Sequence, residues 1–162
     1  MSKAFIALGS NIAPAKENID RAVSALNQVG RIIKTANYII SKPEGFAKQA
    51  DFVNTVLLLE TGLKPLPLLK KLKELEAALG RKPTFLNGPR VIDLDILFYD
   101  EESINLPDLI IPHKSLAERE FVLAPLNEIA PDFIHPTLHK SIKELFKELM
   151  ARKKQSTIKQ FK

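Results

Sequence analysis

Two aspartates separated by a single residue are the strongest chemical feature of this 162-residue chain. They stand in Val91-Ile92-Asp93-Leu94-Asp95-Ile96-Leu97-Phe98, a run with the branched and aromatic composition of a strand. Side chains alternate faces along a strand. Ile92, Leu94, Ile96 and Phe98 are therefore expected on one core-facing side, with Asp93 and Asp95 together on the other. Carboxylates at i and i+2 have Cβ atoms about 7 Å apart, so their oxygens can converge on one cation or bridge two. Magnesium suits such a pair, because it commonly takes one or two carboxylates and completes its shell with water and phosphate oxygens. A second reading stays open at this point: the face is simply wet and its acids sit in surface ion pairs.

The neighbouring residues favour the first reading. Arg81, Lys82 and Arg90 precede the pair, Gly88-Pro89 shapes the approach, and His113 and Arg119 follow the next proline turn. Guanidinium groups clamp phosphate oxygens and stabilise charge that develops during transfer. Acids for a metal beside cations for phosphate describe phosphoryl transfer. Neither G-x-x-x-x-G-K-[ST] nor G-x-G-x-x-G occurs, which excludes the common phosphate loops. His113, His135 and His139 have no zinc-ligand spacing and, on their types and spacing, read as structural.

These side chains need a scaffold. Residues 3–9 read as a buried strand ending at Gly9-Ser10-Asn11. Ile19, Ala22, Val23, Leu26 and Val29 recur at helical spacing after Pro14, and Gly30 stops that helix. Residues 31–41 and 52–61 read as strands joined by a loop over 42–51. Pro65 and Pro67 open a second helix with the stripe Leu68, Leu72, Leu75 and Leu79, which Gly80 ends. A loop over 81–90 leads into the aspartate strand, 91–99, and residues 103–106 are expected to pair with it. Short helices are expected near 115–128 and 141–150. The order β-α-β-β-α-β-β implies an α+β fold, a ferredoxin-like antiparallel sheet with helices packed on it.

Composition bounds the rest. Hydrophobic residues at 45% and charged residues at 27% are ordinary for one globular domain, so residues 1–162 are taken as a single domain. The absence of cysteine excludes disulfides, thiolate metal sites and a cysteine nucleophile. No apolar run approaches the roughly 20 residues of a membrane helix, so no membrane partner and a cytoplasmic location are expected. The net charge of +5 is carried by residues 152–162, whose Arg152, Lys153, Lys154, Lys159 and Lys162 face no acid. That segment reads as a basic, loosely held tail. With the body balanced, no nucleic-acid partner is expected.

Gly88-Pro89-Arg90-Val91-Ile92-Asp93-Leu94-Asp95-Ile96-Leu97 resembles the signature of the 6-hydroxymethyl-7,8-dihydropterin pyrophosphokinase family. Ala7-Leu8-Gly9-Ser10-Asn11, Asp51-Phe52-Val53-Asn54, Pro112-His113 and Arg119-Glu120-Phe121-Val122-Leu123-Ala124-Pro125-Leu126 are similar to further family motifs, in family order. The resemblance implies transfer of pyrophosphate from ATP to the pterin hydroxymethyl group, giving AMP and the pterin diphosphate in folate biosynthesis. It implies two Mg²⁺ ions held by Asp93 and Asp95, with ATP as co-substrate. Arg81 and Arg90 join the two acids as implied catalytic residues. Glu76, Arg81, Arg90, His113 and Arg119 are the implied ATP contacts, and Phe52, Asn54, Phe121 and Gly45 the implied pterin contacts. A monomer working on these two small molecules is the expected form. The chain departs from the pattern in having Asn87 where a Trp usually precedes Gly-Pro-Arg. Its loop 81–87 is also one residue short and lacks a second arginine.

Overall fold

The computed structural model describes residues 1–42, 49–85 and 88–160, with side chains to residue 155. Its framework is an antiparallel sheet. Strand β1 (Ser2–Ser10) lies at the centre, between β4 (Phe52–Thr61) and β5 (Asp93–Tyr99). The far edge of β4 is shared by two short strands, β2 (Arg31–Thr35) and β3 (Ile39–Ser41), so the order is β2–β4–β1–β5 with β3 also beside β4. This is the expected ferredoxin-like α+β plan.

The single strand expected over 31–41 is broken at residues 36–38. The break has a cause distant in sequence. Glu128 accepts two hydrogen bonds from Asn37, from its backbone N–H and its Nδ2, both at 2.6 Å. Thr55 Oγ1 also donates to the Ala36 carbonyl at 2.9 Å. Residues 104–106 form β6 but pair with β7 (Leu109–Ile111), not with β5 as expected. Pro107-Asp108 is a tight two-residue connection that favours that local hairpin.

Helices α1 (Ala15–Ala25) and α2 (Pro65–Ala78) cover one face of the sheet. Ile6, Leu8, Leu57, Leu59, Leu94 and Ile96 meet Ile19, Ala22, Leu68 and Leu72 there in one buried cluster. The helix-period stripes of the two segments account for this packing. The other face is covered over part of its length by α3 (Glu120–Ile129) and α4 (Ile142–Gln160), against Phe5, Val56, Leu97 and Phe98. Ser141 and Glu144 cap α4 reciprocally. The helix is longer than the expected 141–150 and takes in residues 152–160 of the basic segment: Arg152 donates to the Ala117 carbonyl at 3.3 Å, and Lys153 pairs with Glu120 at 3.0 Å. No helix among the described residues is long and apolar enough to cross a membrane.

A register shift corrects the expected face of Phe98. Opposite β5, Phe5 pairs with Phe98 and the next residue, Ile6, pairs with Ile96, so Leu97 is an extra residue. Such a bulge puts two successive side chains on one side. Leu97 and Phe98 consequently both pack under α3 and α4, whereas Leu94 and Ile96 face α1 and α2.

Candidate active site

Where α3 and α4 stop, the second face of the sheet is open and forms a cleft. Strand register builds its floor. Asn54 of β4, Gly9 of β1 and Asp93 of β5 lie in one row across three strands, and Val56, Ala7 and Asp95 in the next. Partners in an antiparallel pair share a face, so Asn54, Asp93 and Asp95 project to the same side with small residues between them. Gly9 is required by its neighbour: a Cβ built on it would lie 2.9 Å from Asn54 Oδ1. Asn54 is 6% exposed and its Nδ2 donates to Ser41 Oγ at 2.7 Å, which fixes the amide. Phe52, from β4, and Phe121, from the first turn of α3, line the same cleft with Arg90, His113 and Arg119, around a volume of about 90 Å³.

The acid pair is held from beneath by α2. Glu76 is 3% exposed, and its Oε2 accepts the Leu94 N–H at 2.7 Å, so the peptide between Asp93 and Asp95 is tied to the helix. Gly80, at φ +101°, turns the chain out of α2 as only glycine does readily. The N–H of Arg81 then bonds back to the Glu76 carbonyl at 3.0 Å. This places Arg81 Nη1 2.8 Å from Glu76 and 3.0 Å from Asp93. Arg90 approaches the other Asp93 oxygen at 3.6 Å, and Lys73 lies 3.4 Å from Glu76. Arg90 Nε is buried with no hydrogen-bond partner among the described residues, a donor available to a ligand.

Electrostatics separate the two aspartates. Burial pushes the Asp95 carboxyl up to about 7, reinforced by the charges of Asp93 and Glu76 and opposed by Lys73 and Arg119. Asp93 has the two guanidinium partners. His113 is lowered from the usual histidine range, first by burial and then by Arg119, with Asp93 opposing. Its ring is fixed by the Ser115 N–H, which donates to Nδ1 at 3.2 Å. The Arg119 guanidinium sits 5.6 Å from the centre of the Phe121 ring, a cation–π distance.

A second, more open hollow of about 550 Å³ adjoins the cleft, lined by Lys73, Glu76, Arg81, Lys82, Thr84, Phe85 and Arg90. Arg90 borders both spaces. The described residues hold no group of three or more histidine, cysteine or acidic side chains arranged for a metal. Two carboxylates on one face fit a hard cation whose remaining ligands are water or phosphate oxygens, and do not form a closed protein cage.

Of the residues singled out from the sequence, Asp93, Asp95, Arg90, His113, Arg119, Phe52, Asn54 and Phe121 line the cleft, and Glu76 and Arg81 line the adjoining hollow. Gly45 and Asn87 lie outside the described residues. Glu76 proves to be a buried brace for the aspartate strand as well. Its place four residues after Leu72, inside an apolar stripe, was a signal of burial. The sequence reading missed Gly9 as the floor, Ser41 as the holder of Asn54, and Asn11, whose side chain bonds to Gln49 and Arg90.

The chain is similar to known proteins of one family. Residues 5–131 match the family model described as 7,8-dihydro-6-hydroxymethylpterin-pyrophosphokinase. The chain is 39% identical over 161 residues to the 2-amino-4-hydroxy-6-hydroxymethyldihydropteridine pyrophosphokinase of Aquifex aeolicus, covering 99% of this chain and 96% of that protein. The Haemophilus influenzae protein of the same name is 41% identical over 155 residues, with 94% and 96% covered. The folic acid synthesis protein FOL1 of Dictyostelium discoideum is 44% identical over 135 residues; these are 83% of this chain but only 20% of that much longer protein. Among solved structures, wild-type Plasmodium falciparum HPPK-DHPS with STZ-DHP superposes with a TM-score of 0.81 at 18% identity. It covers 96% of this chain and 44% of that one, and so supports the fold.

Proposed function

The chain belongs to the 7,8-dihydro-6-hydroxymethylpterin-pyrophosphokinase family, and on that premise we propose how its cleft performs the transfer. The enzyme moves the terminal pyrophosphoryl unit of ATP to the hydroxymethyl group of 6-hydroxymethyl-7,8-dihydropterin, a step of folate synthesis. The observation that carries the assignment of sides is the row Asn54–Gly9–Asp93, with a heterocycle pocket at one end and an acid–arginine site at the other.

On this reading the pterin lies over Gly9. The Asn54 amide, which offers both a donor and an acceptor, reads the pyrimidinone edge, and Phe52 and Phe121 flank the ring. ATP occupies the hollow beyond Arg90, with Arg81, Arg90 and Arg119 on its phosphates and Glu76 and His113 bordering it. Asp93 and Asp95 are the residues that would hold Mg²⁺, two ions with ATP bound. Such ions, when present, neutralise phosphate charge and lower the pKa of a bound hydroxyl. The hydroxymethyl oxygen gives up its proton to an aspartate of the pair and attacks the β-phosphorus, the bond from the β-phosphorus to the oxygen it shares with the α-phosphorus breaks, and AMP leaves with that oxygen, opposite the attack. The protein contributes alignment of the two substrates and preorganised positive charge.

An AMP-release assay tests this. AMP, and not ADP, should form only when ATP, magnesium and the hydroxymethyl-dihydropterin are all present. ADP formation, or turnover without the pterin, would refute the reaction assigned to this cleft.

A further inference from the structure

Asn11 closes the end of β1 at the rim of the cleft, 4% exposed. Its Nδ2 donates to Gln49 Oε1 at 2.6 Å and to the Ala50 carbonyl at 3.2 Å. Its Oδ1 accepts the Arg90 N–H at 2.8 Å, and its own N–H donates to the Arg90 carbonyl at 3.1 Å. On one side it therefore holds the two residues that lead the chain toward Phe52 and Asn54. On the other it holds the backbone of the arginine that reaches Asp93.

An asparagine that merely finishes a turn bonds its own neighbours; the partners of Asn11 are 38, 39 and 79 residues away. Its position is also fixed. Asn18 of α1, 3% exposed, donates through Nδ2 to Ser10 Oγ at 3.3 Å and to the Ile12 carbonyl at 2.8 Å, pinning the residues on either side. Arg21 holds the Asn18 Oδ1 at 2.5 Å. The amide of Asn11 is planar, so Nδ2 and Oδ1 move as one body. A displacement of Gln49–Ala50 tilts that plane and shifts its grip on Arg90, and the reverse holds equally.

We propose that Asn11 is a positioning residue that couples the pterin subsite to the phosphate subsite, so that filling one favours binding at the other. The proposal rests on the assignment of those subsites given above. Coupling of this kind is reciprocal: the factor by which nucleotide tightens the pterin must equal the factor by which pterin tightens the nucleotide.

The test measures that factor. 6-Hydroxymethylpterin is titrated by its fluorescence with and without magnesium and α,β-methylene-ATP, whose bridge cannot be cleaved. The wild-type protein should bind both ligands, with tighter pterin binding when the nucleotide is present. Asn11→Ala should reduce the factor at least about fivefold, the worth of one hydrogen bond. Gln49→Ala, which keeps the Ala50 and Arg90 contacts, should fall between. A wild-type factor in Asn11→Ala overturns the proposal, whatever the change in Tm, because a merely structural residue alters stability without altering coupling. So does a wild-type factor of one. Should Asn11→Ala fail to fold, Gln49→Ala decides: a reduced factor supports the tie and an unchanged one overturns it. Failure of the wild-type protein to bind pterin at all would instead overturn the subsite assignment itself.

Discussion

The two faces of the central sheet are made by the same strands and have opposite fates. The face under α1 and α2 is largely apolar, with Ile6, Leu8, Leu57, Leu59, Leu94 and Ile96 buried together, and its Ser10, Thr55 and Thr61 are buried with hydrogen-bond partners. The face under α3 and α4 is apolar only through Phe5, Val56, Leu97 and Phe98. Beyond them it carries Asn54, Gly9, Ala7, Asp93 and Asp95 along the cleft. The contrast is sharpest within β5, where Leu94 is fully buried while the aspartates on either side of it line the cleft. Stability resides where the helix layer is continuous, and chemistry where it ends. Charges in the opening are tolerated because cations answer them: two arginines for Asp93, and Lys73 and Arg81 for Glu76.

The largest test removes the charge of the second aspartate on the floor of the cleft. Asp95→Asn should lower kcat on the order of 10²–10³-fold, the loss seen when a charge-stabilising group is deleted. The same variant should be more stable than wild type in metal-free buffer above pH 7. The Asp95 carboxyl is raised from 3.8 to about 7 in the fold, so its contribution is full below the unfolded value and is lost as pH rises through about 7. Tm against pH in EDTA should fall across that window for wild type and flatten for the variant. Full activity at saturating magnesium would erase the distinction between the faces.

Leu94→Ala probes the opposite face at the adjacent residue. It leaves the N–H bonded to Glu76 and should cost about 2–5 kcal/mol in denaturant unfolding, while the folded variant keeps most of its kcat. A large loss of kcat at unchanged stability would break the comparison. Gly9→Ala should be milder and confined to the floor of the cleft. The added methyl displaces Asn54 and should weaken pterin binding roughly 5–30-fold, the range for a displaced hydrogen bond or two, with nucleotide affinity unchanged by calorimetry.

The smallest effect is expected in the α3–α4 connection. His135 is 5% exposed, and its Nδ1 accepts the N–H groups of Thr137 at 3.2 Å and Leu138 at 3.1 Å. Its pKa is lowered from 6.5 by burial, then by His139. Its stabilisation is therefore present above pH 6.5 and lost as pH falls below that value. His135→Asn keeps an acceptor and removes the titration, so Tm should decline less with acid than in wild type, with kcat unaltered.

Much of this division was legible in the chain. Alternation put Asp93 and Asp95 on one side of a strand, and the stripes Ile19–Ala22–Leu26 and Leu68–Leu72–Leu75 marked the closed face. Local pattern could not reveal what distant partners decide. Asn37 stands at the break of a strand, where Glu128 of α3 reaches it. Asn11 reads as a turn residue until Gln49 and Arg90 arrive beside it. The displacement of Phe98 was hidden for another reason: Leu97 and Phe98 are both apolar, so a period of two passes through the bulge unmarked.

That bulge makes the length of β5 a functional variable in its own right. Upstream of it the odd-numbered residues open to the cleft; downstream, the even-numbered Phe98 takes that side. Deleting Leu97 would remove the extra residue, so that Ile96 and Phe98 alternate regularly opposite Ile6 and Phe5 with both acids still facing the cleft. A one-residue insertion between Asp95 and Ile96, with the strand from Ile96 onward kept in place, would by contrast swing both aspartates beneath α2 and Leu94 into the cleft. Substitution scanning changes one letter at a time and would never expose this dependence. One-residue insertions and deletions along the strand would, for they treat the acid pair as a matter of counting rather than of composition.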